Sequence, residues 1–312
     1  MRRRNLLKLS GTAVAGAGLT GCVGGGGASG GEYTFMMSPS EPVEDMRPQY
    51  TPVAEYLSEE MGSEVSLQYA SSYSAIVRAL GTGNGHMAEM GPIAAALGVA
   101  SESVEMVLQR RGYGSWTYSS VIVTREDSDI ETIEDLKGRK VAFADMLSAS
   151  GSIYPLDMIK NAGIDVGDAP KSDNGAEFDG TWAGHATAFE SLMSGQADAA
   201  GVGLFMATGD GSDEYKDGVR EVARRDGLAR APIVVSPELE DGQKEEFVGS
   251  FTDAPDSIYH GEDGESGSDD DLWFDAVRPA SVETYRSMIE TAEGLGIEIE
   301  LLDQAANQSS GG

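Results

Sequence analysis

From Tyr33 onward, short β-type runs alternate with segments of helical periodicity, and this alternation constrains the fold more than any other feature. Tyr33–Met37 reads as a strand. Val53, Leu57 and Met61 then recur at helical spacing. Val65, Leu67 and Tyr69 alternate with Glu64, Ser66 and Gln68, the pattern of a half-buried strand. Ile76, Val77 and Leu80 predict a short helix and residues 87–90 a strand, and Pro92 suits the first turn of the next helix. Further strands are expected at 104–108, 121–123, 141–143, 197–202, 233–235 and 297–301. Further helical segments are expected at Ile133–Leu136, 153–160, 188–194 (stopping at Gly195) and 281–293. This order gives α/β layers with largely parallel sheets, and a length of about 280 residues past the leader points to two domains. Internal repeats are absent. Residues 209–217 and 260–271 break the alternation as polar loops, the second strongly acidic, and both read as solvated surface.

The leader is excluded from the fold. Arg2, Arg3 and Arg4 precede Asn5, Leu6, Leu7 and Lys8, the pattern of a twin-arginine export signal. The apolar run that follows, residues 9–19, is shorter than the roughly 20 residues a membrane-spanning helix needs and suits a signal-peptide core. Leu19-Thr20-Gly21-Cys22 resembles a lipobox, and Cys22 is the only cysteine among 312 residues. A lone thiol cannot close an intramolecular disulfide; here it sits where a lipid anchor belongs, before a Gly-rich spacer. The expectation is a signal peptide at 1–21, a tether at 22–31 and an extracytoplasmic protein held at the outer face of the cell membrane through lipidated Cys22.

Acidic residues outnumber basic ones 52 to 22. Four of the basic residues lie in the leader, which leaves 18 against 52 in the mature chain. That balance excludes nucleic acid as a partner, because phosphate backbones are gripped by Lys and Arg. The acids are scattered over the whole chain, which fits adaptation to high salt, where the Debye length falls to about 3 Å at 1 M. A hydrophobic content of 40% is enough for real cores.

Several segments together resemble one family. Tyr118-Ser119-Ser120-Val121-Ile122-Val123 is followed by Asp135-Leu136-Lys137-Gly138-Arg139-Lys140-Val141-Ala142-Phe143, and then by Ser148-Ala149-Ser150-Gly151 with Pro155. Ala183-Gly184-His185 precedes Gly195-Gln196-Ala197-Asp198-Ala199, and Pro232-Ile233-Val234-Val235 comes later. Upstream, Tyr73 opens a Y-x-x-I helix and Gly91 lies in a second loop. In order and spacing these are similar to the phosphate/phosphite/phosphonate binding proteins of ABC transporters, over residues 33–305. The resemblance implies a type II periplasmic-binding-protein fold with two α/β lobes, 32–120 with 231–312 and 121–230. Two crossover strands would join them, and the ligand would sit in the interlobe cleft. It further implies a monomer that captures a phosphorus oxyanion for an ABC permease and ATPase, without catalysis, cofactor or metal.

Elementary chemistry agrees with that placement. In α/β sheets ligands bind at the carboxyl ends of strands, where helix N-termini offer free N–H groups to an oxyanion. The first candidate is the loop Ser148, Ser150 and Gly151, with Ala149 where the family usually has Thr. The second is His185 with Thr187; Thr187 and Glu190 have capping-box spacing, which predicts a helix start just after His185. The third is Tyr73, with a serine of Ser71-Ser72 capping its helix. The fourth is the Gly91-Pro92 helix start with Met90 before it. Ser38, Ser40 and Ser120 are further candidates. Pro155 predicts an irregular helix start after Ser150. By spacing, the two positions where aminoalkyl-phosphonate binders of this family hold an amine with carboxylates fall at Phe205 and Ala231. Neither can pair with an ammonium, which favours phosphate, phosphite or a small alkylphosphonate.

An enzyme is the competing class. The chain has neither a G-x-S-x-G elbow nor an HExxH pair, and its three histidines are His86, His185 and His260. Gly81-Thr82-Gly83-Asn84-Gly85 follows a helix rather than a strand, so it reads as a turn, not a nucleotide loop. Sulfonate or nitrate receptors and transporter-independent sensors share the expected fold. A carboxylate in the cleft, for which Glu89 is the candidate, would favour a ligand that can carry a proton.

Overall fold

In the computed structural model the described residues are 32–39, 42–209, 212, 214–297 and 301. The leader, Cys22, the tether and Ser40 lie outside them, as does most of the strand expected at 297–301.

The chain runs β1 (Tyr33–Met37), α1 (Val43–Glu60), β2 (Val65–Tyr69), α2 (Tyr73–Gly81), β3 (Met87–Glu89), α3 (Pro92–Ala100) and β4 (Glu105–Gly112). It crosses to β5 (Thr117–Arg125), then β6 (Lys140–Phe143), α4 (Tyr154–Asn161), β7 (Asp179–Trp182), α5 (His185–Met193), β8 (Ala199–Gly203), α6 (Leu204–Ala207) and β9 (Val219–Ala229). It returns through β10 (Pro232–Val235), α7 (Asp241–Thr252), β11 (Phe274–Pro279) and α8 (Arg286–Gly294). One six-stranded sheet has the order β11-β4-β10-β3-β1-β2, and a five-stranded sheet has the order β7-β6-β8-β5-β9. β1, β2 and β3 are parallel, as are β6, β7 and β8; β10, β11, β5 and β9 pair antiparallel. Two short connections, between β4 and β5 and between β9 and β10, carry the chain from sheet to sheet.

The strand period of two sorts the cores. Tyr33, Phe35 and Met37 of β1 face a cluster with Tyr50, Leu57, Phe247 and Phe251, while Met36 faces Ile76, Leu80 and Ile93 on the other side. In the second sheet Ile122 joins Phe143, Leu156 and Ile159, whereas Val121 and Val123 join Ala188, Leu192 and Val202. The cluster that begins with Met36 also takes in Met146, Leu147 and Ile153 from the loop after β6. Apolar contact therefore runs from one sheet layer to the other, beside the region where the parallel strands end.

The helix expected at 153–160 is α4, and the irregular start that Pro155 predicts is present as a π-helical turn, Ala149–Ile153. Ser148 O accepts from Ile153 N at 3.0 Å, so the turn is one residue wider than an α turn. One local expectation is corrected: the N-cap of α5 is Gly184 and the helix already includes His185, so Thr187 caps nothing. The Thr187/Glu190 spacing was a coincidence of composition, because an upstream glycine in extended conformation sets the start.

Candidate functional site

The carboxyl ends of β1, β3, β6 and β8, together with the starts of α2 and α5, surround a cavity of about 70 Å³ between the two sheets. It is small beside the pockets of about 300–1,000 Å³ that hold drug-sized molecules. Of the expected residues, Tyr73, Met90, Ser148, Ser150 and His185 line it, and so do Ser38, Gly91 and Pro92.

The Ser148 turn is the best organised wall. Ser148 is the N-cap of the π turn, and its Oγ accepts the Gly151 N–H at 3.1 Å. The same oxygen lies 3.0 Å from His185 Nε2. His185 Nδ1 accepts the Gly203 N–H at 3.3 Å, which leaves the ring proton on Nε2, donating to Ser148. With two donors already aimed at its oxygen, the Ser148 hydroxyl has its own hydrogen left to donate into the cavity. Burial lowers the His185 imidazole from 6.5 to about 4, so the ring is neutral at physiological pH. Sequence reasoning expected His185 to touch the ligand directly; the structure gives both of its nitrogens to the protein and makes it the orienting group for Ser148.

Ser150 is 2% exposed. Its carbonyl accepts from Ser120 Oγ at 2.7 Å, and Tyr118, whose phenol burial pushes up to about 12, lines the same cavity. Ser120 is buried and does not line the cavity; it holds Ser150 in place. Gly151 does not line it either. A Cβ there would come within 2.2 Å of Ala144 Cβ and 2.8 Å of His185 Cε1, so the glycine is what lets the turn close against β6 and the histidine. Thr187 is exposed on α5 and away from the cavity.

Across the cavity, Ser72 caps α2, accepting from Ala75 N at 3.2 Å, and presents Tyr73, whose phenol burial raises well above its usual range. Gly91, the N-cap of α3, leaves room for that ring: a Cβ would stand 3.1 Å from Tyr73 Cζ. Glu89, 2% exposed, is a lining carboxylate. It accepts from the Ser38 backbone and hydroxyl and pairs with Arg110 at 2.7 Å.

Sequence reasoning missed five lining residues, Arg110, Tyr113, Tyr118, Arg230 and Trp273. Arg110, in β4, is 1% exposed and lies 4.4 Å from the Trp273 ring centre. Arg230, in the β9–β10 connection, is 8% exposed. Tyr113, Tyr118 and Trp273 complete the wall, and Phe205 and Ala231 line it too. Arg110, in a strand, and Arg230, just after one, look like ordinary solvent-facing cations. The available signal was context: few basic residues in a chain this acidic, and these two fall beside the sheet-to-sheet connections.

Among the described residues no group of His, Cys, Asp or Glu could hold a metal ion, and no helix is long and apolar enough to cross a membrane.

Comparison with known proteins adds the following. Residues 35–285 match the profile of the periplasmic substrate-binding protein of phosphonate ABC transporters. A phosphate-import protein, PhnD, of Mycolicibacterium smegmatis is 30% identical over 172 residues, 53% of this chain and 53% of that protein, so the match spans about half the length of the relative. A binding-protein component of an ABC phosphonate transporter from Pseudomonas aeruginosa superposes with a TM-score of 0.67 at 16% identity, covering 89% of this chain and 96% of that one. PhnD1 from Prochlorococcus marinus, solved with methylphosphonate, gives 0.65 at 14% identity, covering 85% and 98%. At such identity the two structures establish the fold, the two-lobed type II periplasmic-binding-protein architecture.

Proposed function

Because the chain belongs to the periplasmic substrate-binding family of phosphonate ABC transporters, we propose that it captures a small phosphorus oxyanion in the cavity between the sheets and delivers it to a permease and ATPase. The lobes, 32–120 with 231–312 and 121–230, close on the ligand. Cys22 carries the lipid that holds the protein, a monomer, at the outer face of the membrane.

The observation that carries this reading is the Ser148–Ser150 turn, whose serine is set as a donor by a neutral, buried histidine. Neutral donors on a tight turn suit a tetrahedral anion, because each hydrogen bond to a charged acceptor contributes about 1.5–3 kcal/mol. Five or six such bonds, less the cost of association, reach the roughly −8 kcal/mol of a micromolar site. Glu89 supports phosphorus over sulfur: a lining carboxylate accepts a proton that a phosphate or phosphonate can carry and a sulfonate cannot near neutral pH. Phe205 and Ala231 in the wall support a ligand without an ammonium group.

A thermal-shift panel in molar KCl tests the class. Phosphate, phosphite and methylphosphonate should raise Tm, and sulfate, taurine and 2-aminoethylphosphonate should not. Stabilisation by taurine or sulfate alone would move the assignment to the sulfonate receptors. A larger shift with 2-aminoethylphosphonate would refute the argument from Phe205 and Ala231.

A further inference from the structure

The cavity wall carries two unlike kinds of group. Ser148 and Ser150 offer neutral donors. Arg230 also lines it; its Nε donates to Ser115 O at 3.0 Å and its guanidinium is 5.4, 5.8 and 5.7 Å from the ring centres of Tyr113, Tyr118 and Trp273. Among the described residues no carboxylate pairs with it. Arg110 differs, because Glu89 compensates its charge at 2.7 Å. A cation buried without a counter-ion is costly, and a bound anion removes that cost. A guanidinium fork matches a planar carboxylate in bidentate fashion, and the aromatic walls leave it little competing water. β5 links the two: Ser120 Oγ donates to the Ser150 carbonyl at 2.7 Å, and two residues away on the same strand the Tyr118 ring centre is 5.8 Å from Arg230. A solute that touches both is therefore short.

We propose that the solute is a two-headed anion, with a phosphonate group on Ser148 and Ser150 and a carboxylate, one or two carbons away, on Arg230. This rests on the phosphorus-oxyanion reading above and narrows its ligand class. A second phosphoryl group would be bulkier than a carboxylate in a cavity of about 70 Å³.

The test is calorimetric titration of the protein in molar KCl with methylphosphonate, phosphonoacetate and 3-phosphonopropionate, repeated with Arg230→Gln and Arg230→Lys. In the wild type, phosphonoacetate or 3-phosphonopropionate should bind at least tenfold more tightly than methylphosphonate. Arg230→Gln should erase that preference and Arg230→Lys retain part of it. Equal wild-type affinities, or a preference for methylphosphonate, would overturn the proposal and leave the phosphorus-oxyanion reading standing. Equal weakening of all three by Arg230→Gln would also overturn it, since Arg230 would then serve the phosphorus group. Binding of none of the three would overturn the proposal, and binding of neither phosphate nor phosphite in the same titration would sink the phosphorus-oxyanion reading with it. The wild-type comparison decides even if Arg230→Gln fails to fold.

Discussion

Ser148 acts as a donor only because its neighbours hold it so. Gly203 fixes the His185 tautomer, His185 and Gly151 occupy the serine oxygen, and the serine hydrogen is left for the cavity. Gly151→Ala should break this chain, because its Cβ would collide with Ala144 and His185. We expect a loss of about 1–3 kcal/mol of stability and at least tenfold weaker binding, read by chemical unfolding and calorimetry; wild-type behaviour in both would contradict the geometry. The histidine also sets a pH dependence. Its folded value of about 4 lies below the ordinary 6.5, so the unfolded chain binds the extra proton between those values. The stability it contributes is complete above pH 6.5 and is lost as pH falls towards 4, by on the order of 3 kcal/mol. Asp145 opposes it: burial raises its carboxyl from 3.8 to about 6, so its contribution is full below 3.8 and is lost as pH rises through 6. Unfolding of wild type and His185→Asn from pH 7 to pH 4 separates the two, and the variant should lose less stability over that interval. Parallel profiles would show that His185 is not buried as a neutral ring.

At the scale of elements, the site depends on where strands stop and on one irregular turn. Ser120, in β5, an inner strand of the second sheet, reaches to the Ser150 carbonyl at 2.7 Å and ties the π turn to the sheet. Ser120→Ala would leave that buried carbonyl without its donor, a cost of about 1–3 kcal/mol, and should weaken ligand binding as well. A stability change within 0.5 kcal/mol, about the size of an ordinary surface substitution, would show that the turn stands by itself. The strand alternation at Tyr33–Met37 and Val65–Tyr69 was legible because residues of period two must sort to opposite faces. The place of Ser148, Ser150 and His185 in the cavity wall was legible through family resemblance, and Ser120 was placed near the ligand without its contact to Ser150. Three features were not legible. Pro155 marked an irregular start, but that it is a π turn depends on a hydrogen-bond offset that leaves no composition signature. The start of α5 is set by a glycine in extended conformation, which a capping pattern does not register. Arg110 and Arg230 sit in strand-like surroundings, and only the tertiary fold turns them towards a cavity instead of solvent.

For the whole molecule, a chain with a formal charge of −30 carries the cavity proposed to hold an anion. At about 0.1 M salt the Debye length is about 10 Å, so that charge both repels the ligand and strains the compact state; at 1 M it acts over about 3 Å. Tm and ligand association rate should therefore both rise from 0.1 M to 2 M KCl, read by calorimetry and stopped-flow. A fall in both would argue against screening as the basis of the acidic surface. The central claim is that the Ser148–Ser150 turn between the two sheets is the seat of a phosphorus oxyanion. The most direct measurement is calorimetric titration of methylphosphonate into the wild type and into the double variant Ser148→Ala, Ser150→Ala, in molar KCl with folding checked by circular dichroism. The account predicts micromolar binding by the wild type and at least a thirtyfold loss in the folded double variant. Equal affinity in the two proteins would place the ligand elsewhere and contradict the account.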